Sequence, residues 1–212
     1  DPRAAALDIL NRLDASDITL DNLLDETSPL VDGLSRRDRA LFNHLVYGVL
    51  RWRLQLDLVI GAYASRPLNK ISPAVRNILR LGLFQIRFMD RIPPSAAVNT
   101  AVDLAKTGKA AKAAGFINAV LRNVLREPGR FRIPGADQDA VEHVAISQSV
   151  PRWLASRWIN RLGRDEALQM CEAVNAIPPI SLRCNILKNT GKRPLKPYGI
   201  CGLVSAGFIR TE

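Results

Sequence analysis

Gly115-Phe116-Ile117-Asn118-Ala119-Val120-Leu121-Arg122-Asn123-Val124-Leu125-Arg126 is the stretch on which the fold turns. Phe116, Val120 and Val124 form one i, i+4, i+8 row, and Ile117, Leu121 and Leu125 form a second beside it. Two adjacent rows make a wide apolar face that several neighbouring helices must cover. The pattern therefore predicts a helical domain with this helix in its middle and with Phe116, Val120, Leu121 and Val124 buried. Arg122 and Arg126 repeat every four residues beside the rows and give the helix a cationic edge. Asn118 is the polar exception. Its first reading is an amide that bonds a neighbouring backbone and pins the packing, because buried polar groups nearly always have partners. Direct contact with a ligand is the second.

Of the 212 residues, 47% are hydrophobic but only 6% aromatic, a Leu/Ala/Val-rich balance that favours helices over a β-sandwich. A chain of this length can bury a real core in one or two domains. No apolar run approaches the roughly 20 residues that span a bilayer, so no membrane partner is expected. Asp1-Pro2-Arg3 leads into a charged helical pattern rather than a signal peptide. Cys171, Cys184 and Cys201 are odd in number and lack C-x-x-C spacing, so neither disulfides nor a metal site is expected. A reducing cytoplasm is the simplest location.

The net charge of +10 is unevenly spread. Residues 1–35 hold two Arg against eight acidic side chains, whereas residues 36–130 hold 17 Lys and Arg against five acidic side chains. A basic middle on a helical scaffold points to a polyanion, most economically RNA or DNA.

Several helix boundaries are marked locally. Ala4 to Leu13 reads as a first helix, and Leu20, Leu23 and Leu24 as a short second one closed by Ser28-Pro29. Ser35-Arg36-Arg37-Asp38 resembles a capping box with Asp in the usual Glu place, opening a helix with Leu41, Leu45, Val46, Val49 and Leu50 inward. Another helical segment runs from Leu56 to Tyr63. Ser72-Pro73 starts a helix that reaches about Phe88, with Val75, Ile78, Leu79, Leu83 and Ile86 inside and Arg76, Arg80 and Arg87 on one flank. Pro93-Pro94 then breaks the chain before a small-residue helix from Ala96 to Lys106. Glu127-Pro128-Gly129 ends the quoted helix, and Gly and Pro within Arg130 to Asp139 mark a linker, taken as residues 131–150. Pro151 to Val174 reads as two helices, and Ile180 to Leu187 alternates with period two as the one clear strand.

Arg36-Arg37-Asp38-Arg39, Leu79-Arg80-Leu81-Gly82, Ile92-Pro93-Pro94, Ala96-Ala97-Val98-Asn99 and Gly115 to Arg122, in that order, resemble the NusB-like RNA-binding domain. That resemblance covers roughly residues 1–130 and implies an all-helical bundle. Pro151-Arg152-Trp153-Leu154, Arg157-Trp158, Pro178-Pro179 and Leu182-Arg183-Cys184-Asn185 resemble the pre-catalytic segment of the Sun/Fmu ribosomal RNA cytosine-5 methyltransferases. In that family a NusB-like domain and a small α/β segment precede a catalytic domain that uses S-adenosylmethionine. The expected fold is thus mainly α, a NusB-like bundle followed by a partial α/β segment at 151–212.

The function that the resemblance implies is to bind RNA, small-subunit rRNA in particular, and to position it for a catalytic domain absent from this chain. The alternative is a NusB-type transcription antitermination factor, which would add a ribosomal-protein partner. No catalytic residue is assigned. That family's nucleophile comes from a Cys-Pro dipeptide, whereas Cys171 precedes Glu172, Cys184 precedes Asn185 and Cys201 precedes Gly202. The only candidates for a methyl-donor loop are Gly199 to Gly202 and Gly207, and no helical pattern follows them. No cofactor is therefore expected on this chain. His44 and His143 lack catalytic partners. The RNA surface is expected from Arg36, Arg37, Arg76, Arg80, Lys106, Lys109, Lys112, Arg122 and Arg126, since Lys and Arg rarely bury unpaired. The acidic first 35 residues are the competing partner for some of these arginines.

Overall fold

The computed structural model describes residues 1–108 and 110–177, and every regular element among them is helical. The strand expected over Ile180 to Leu187 lies outside the described residues, as does Lys109. In chain order the helices are α1 (Pro2–Ala15), α2 (Leu20–Asp32), α3 (Arg36–Arg51), α4 (Arg53–Tyr63), α5 (Pro73–Phe88), α6 (Pro94–Thr107), α7 (Ala114–Arg126), α8 (Ala140–Ser147), α9 (Arg152–Leu162) and α10 (Arg164–Asn175).

Local chemistry explains most of the starts. Asp1 accepts from the Arg3 amide at 3.0 Å, and Pro2 opens α1. The Ser35 hydroxyl accepts from the Asp38 amide at 3.1 Å and donates to the Asp38 carboxylate at 2.8 Å. Half of the capping box is therefore formed: Ser35 caps the Asp38 amide, and the Asp38 carboxylate meets the Ser35 hydroxyl in place of the Ser35 backbone amide. One boundary differs from expectation: α2 runs through Pro29 to Asp32. Pro29 sits in the last turn, where it forfeits a single i→i−4 bond, and the Ser28 hydroxyl donates to Asp32 at 3.1 Å across that turn.

The central helix is α5, not α7. Every residue from Asn77 to Gln85 is buried, and α1, α3, α4, α6 and α7 all pack on it. Two glycines permit the closest approaches. A Cβ on Gly48 of α3 would lie 2.0 Å from the Phe84 ring, and one on Gly82 would lie 2.8 Å from Leu121 Cδ1 of α7. The face of α7 buries Ile117, Val120, Leu121 and Val124 as its periodicity requires. Phe116 is only half-buried: the Arg66 guanidinium covers its ring at 5.4 Å from the centroid. On α3 the buried set shifts to Phe42, Leu45, Val46 and Val49, leaving Leu41 and Leu50 half-exposed.

Polar residues inside this core are satisfied by one another. Arg80 is 2% exposed. It donates through Nε and Nη2 to the two oxygens of Asp57, both at 2.7 Å, and through Nη1 to Asp14 at 3.3 Å and Asn77 at 2.7 Å. Asn77 in turn donates to Asn11 and Asp14, and Asp14 accepts from Arg53 at 2.8 Å. Nearby, Gln85 accepts from Arg3 Nε at 2.8 Å and donates to the Leu81 carbonyl. The Arg80 cluster joins α1, α4 and α5.

Residues 131–150, expected to be a linker, contain α8 and are held by side chains from the bundle. Gln55 of α4 is buried and donates to the Ile146 carbonyl at 3.0 Å, while its amide donates to Ser149 Oγ at 3.2 Å. The Tyr63 hydroxyl donates to the Glu127 carbonyl and accepts from the Phe131 amide at 3.4 Å. Asp139 caps α8, and its hydrogen bond from the Glu142 amide, helped by Arg152, holds its carboxyl below the usual range. A small second core, Val144, Ala145, Val150, Ala155 and Cys171, unites α8, α9 and α10. Residues 1–176 form one compact unit.

The Arg80 cluster sets a measurable expectation. Arg80→Ala leaves Asp57 and Asp14 without their buried cation and should cost about 3–5 kcal/mol in chemical denaturation. Arg80→Lys should recover little of that loss, because an ammonium cannot reproduce the fork onto Asp57. Near-wild-type stability for both variants would show that the cluster relaxes into solvent.

Candidate nucleic-acid interface

The start of α7 lies between two grooves. One side faces α6 across an opening of about 530 Å³ lined by Asn99, Val102, Asp103, Lys106, Ala114, Gly115 and Asn118. The other faces the start of α5 across an opening of about 400 Å³ lined by Arg66, Lys70, Ile71, Ser72, Val75, Lys112, Ala113 and Phe116. Lys106 and Lys112 therefore stand on opposite sides of one helix terminus. No side chain caps α7 there, so its positive end adds to the field of both lysines.

The nine expected residues do not form one patch. Lys106, Lys112, Arg122 and Arg126 are exposed on or beside α6 and α7. Arg122 Nε donates to Asn118 Oδ1 at 2.9 Å, and Arg126 donates to Asn123 Oδ1 at 2.7 Å. These bonds extend the cationic row along α7. Asn118 is half-buried, lines the α6/α7 groove and holds Arg122, and among the described residues its amide bonds no neighbouring backbone. Lys109 lies outside the described residues.

Arg36 and Arg37 are exposed elsewhere. Arg37 shares a groove of about 490 Å³ with Arg3, Asp38, Met89 and Arg91, at the far end of α5 from Lys112. The intervening helix from Val75 to Met89 is roughly 20 Å long. Arg80 is withdrawn from the surface altogether, and its expected place on an RNA face is corrected by its burial among Asp14, Asp57 and Asn77. Arg76 is half-buried, and its Nε is enclosed with no hydrogen-bond partner among the described residues. Neither belongs to the groove beside Lys112 as a lining residue.

Arg66, Lys70, Asn99 and Arg91 escape a search for charge clusters along the sequence. Arg66 and Lys70 sit in a connection rather than on a periodic face, so only the fold brings them beside Lys112. Asn99 belongs to the Ala96-Ala97-Val98-Asn99 motif, but nothing local indicates that its amide shares a groove with Asn118.

A donor pocket needs a strand, a Gly-rich turn and a helix, and the described residues contain no strand. Gly199 to Gly202 lie outside them. Cys171 is buried, and burial, with Glu172 beside it, pushes its thiol pKa up and away from the reactive thiolate. Among the described residues no cluster of His, Cys, Asp or Glu is suited to a metal ion.

The helical order and packing find their counterpart in a known family. Residues 1–126 match the NusB family, and the chain belongs to it. Residues 150–196 match a second description, the RsmF/B-like methyltransferase ferredoxin-like domain. The chain is 34% identical over 189 residues to a "Probable ribosomal RNA small subunit methyltransferase B" of Bacillus subtilis, covering 88% of this chain and 41% of that protein. It is 33% identical over 211 residues to the ribosomal RNA small subunit methyltransferase B of Vibrio cholerae, covering 99% and 46% respectively. The chain thus spans less than half the length of these relatives. Among solved structures, antitermination factors NusB and NusE in complex with double-stranded RNA align with a TM-score of 0.53 at 25% identity, over 59% of this chain and 93% of that one.

Gly115 provides a probe of the helix start that leaves packing intact. A Cβ there meets nothing within 4 Å. Gly115→Ala should raise stability by about 0.5–1 kcal/mol. Gly115→Glu should also fold, since acidic side chains suit a first helical turn, yet it places a carboxylate between the grooves. Thermal melts of both variants, with RNA affinity measured in parallel, should separate the effects: stability kept in each, binding weakened only in the glutamate variant.

Proposed function

We propose that this chain is the RNA-binding amino-terminal region of an S-adenosylmethionine-dependent rRNA (cytosine-5) methyltransferase, acting in the cytoplasm on small-subunit rRNA. The observation that carries this reading is the order of two matches on one chain, NusB over residues 1–126 and the RsmF/B-like domain over 150–196. Relatives that share this span are named for small-subunit rRNA methylation. The chemistry around α7 supports it: Lys106 and Lys112 on either side of an uncapped helix start, with Arg122 along the helix, offer cations to phosphates. Such contacts fix where RNA lies without reading its sequence. Base selection and methyl transfer fall to residues outside this chain. No helix among the described residues is long and apolar enough to cross a membrane.

A second reading, a NusB-type antitermination factor with a ribosomal-protein partner, is supported by the likeness to the NusB–NusE–RNA structure. The RsmF/B-like segment favours the first. Two measurements test it. Replacing Lys106, Lys109 and Lys112 together by Ala should weaken RNA binding and flatten its salt dependence, by roughly 0.7 of log–log slope for each single-strand phosphate no longer engaged. Unchanged affinity and slope in filter binding would remove these lysines from the interface. Calorimetric titration of the chain with S-adenosylmethionine should show no binding; a micromolar or tighter site would overturn the assignment of donor chemistry to residues elsewhere.

A further inference from the structure

The end of α8 and the turn after it are bonded, residue by residue, to two other helices. Gln55 Nε2 of α4 donates to the Ile146 carbonyl at 3.0 Å and to the Ser147 carbonyl at 3.3 Å. Asn175, the last residue of α10, donates through Nδ2 to the Gln148 carbonyl at 2.6 Å. The Ser149 hydroxyl accepts from the Gln55 backbone amide at 3.2 Å.

These bonds are helix caps exchanged between α4 and α8. The first amides and last carbonyls of a helix have no partner within it. α4 receives no side-chain cap from its own Trp52. Gln55 is its third residue, whose amide an N-cap oxygen ordinarily serves. Ser149 serves it instead from 94 residues further on. In return the Gln55 side chain covers the last two carbonyls of α8. Ser149 stands alone among the described non-glycine residues at positive φ, at 55°. Such a backbone persists where its surroundings hold it.

The exchange bridges the two family matches. Gln55 lies within the NusB match, and Ser149 stands one residue before the RsmF/B-like match begins at 150. The apolar cores on either side are separate clusters. Among the described residues no other hydrogen bond or ion pair joins residues 1–126 to residues 132–177. The Tyr63 hydroxyl holds Glu127 and Phe131, ahead of α8. Apolar contact is non-directional and lets two bodies slide, whereas hydrogen bonds demand an angle. Going beyond the RNA-binding reading above, we propose that Gln55 and Ser149 are positioning residues: their reciprocal cap sets the angle at which α9 and α10 stand to the bundle. Asn175 carries that constraint to the end of α10. On the RNA-binding reading, the same angle fixes where RNA beside α7 lies relative to the RsmF/B-like helices.

The test uses the full chain with spin labels at exposed positions of α7 and α9, introduced as Ala119→Cys and Asn160→Cys. Cys184→Ser and Cys201→Ser clear the background, and Cys171 is buried. Pulsed dipolar spectroscopy should give one narrow distance when the cap is intact. Gln55→Met keeps the side-chain length and removes its donor, and Ser149→Ala removes the acceptor. Each should broaden or split the distance. Ser149→Gly relieves the left-handed backbone but also lacks the acceptor, so it should broaden the distance as Ser149→Ala does. In Ser149→Ala the Gln55 amide should exchange about twofold to tenfold faster, the factor that one net hydrogen bond carries. A merely stabilising role would lower the melting temperature and leave the distance in the folded chain as narrow as before. That result in both Gln55→Met and Ser149→Ala would overturn the positioning role. RNA binding is read separately. Neither residue lines the grooves beside α7, so both variants should keep wild-type affinity. A wild-type chain that binds no RNA would overturn the RNA-binding reading, while the distances still decide the cap.

Discussion

A buried guanidinium must have every one of its donors answered, and in this bundle that requirement falls on Arg80. Asp57 from α4 takes two of its N–H groups, while Asp14 from α1 and Asn77 from α5 itself take another. Buried ion pairs add little net stability compared with well-packed apolar side chains, because desolvation offsets most of the attraction. What the cluster adds is selectivity of arrangement. Slipping α4 by one turn along α5 would strand Asp57 and half the guanidinium in a low-dielectric core. The correct register is thus the one in which no charge is left alone.

That register has consequences at the surface. With α5 fixed against α1 and α4, Gly82 lets α7 approach until Leu121 fills the space a side chain would occupy. The start of α7 is then held beside the start of α5 and the end of α6, which is why Lys106 and Lys112 flank it. Three acidic side chains of the first segment are meanwhile engaged by arginines: Asp14 by Arg80 and Arg53, Glu26 by Arg12, Asp32 by Arg39.

Helix starts are legible in the sequence because they depend on a few adjacent atoms. Ser35 with Asp38 and Ser72 with Pro73 each mark a boundary within four residues. The apolar rows of α7 are legible for the same reason. Arg80 is not, because an arginine beside an apolar row looks the same whether it faces water or an aspartate 66 residues earlier. The identity of the central helix is hidden likewise. A strongly one-sided pattern such as that of α7 marks a helix with one face covered, whereas α5, buried all round, carries Asn77, Arg80 and Gln85 that read as exposed until their partners are known. Phe116 falls short of the core its row predicts, because periodicity assigns a face but not the depth of a residue at its end.

The dispersal of the cations also constrains what the surface can hold. Arg37 and Arg91 lie at one end of α5 and Lys70 and Lys112 at the other, roughly 20 Å apart along the helix. Near physiological ionic strength screening acts over about 8 Å, so the two ends do not behave as one continuous field. A small anion meets one end only. A polyanion that engages both must itself bridge the distance, and at about 3.4 Å per phosphate along a strand this takes roughly six nucleotides. Each end then raises the local concentration of the strand for the other, so affinity gained at the second end depends on length and path rather than on net charge. With the cations divided between the two ends of α5, only an extended polyanion could engage both ends at once.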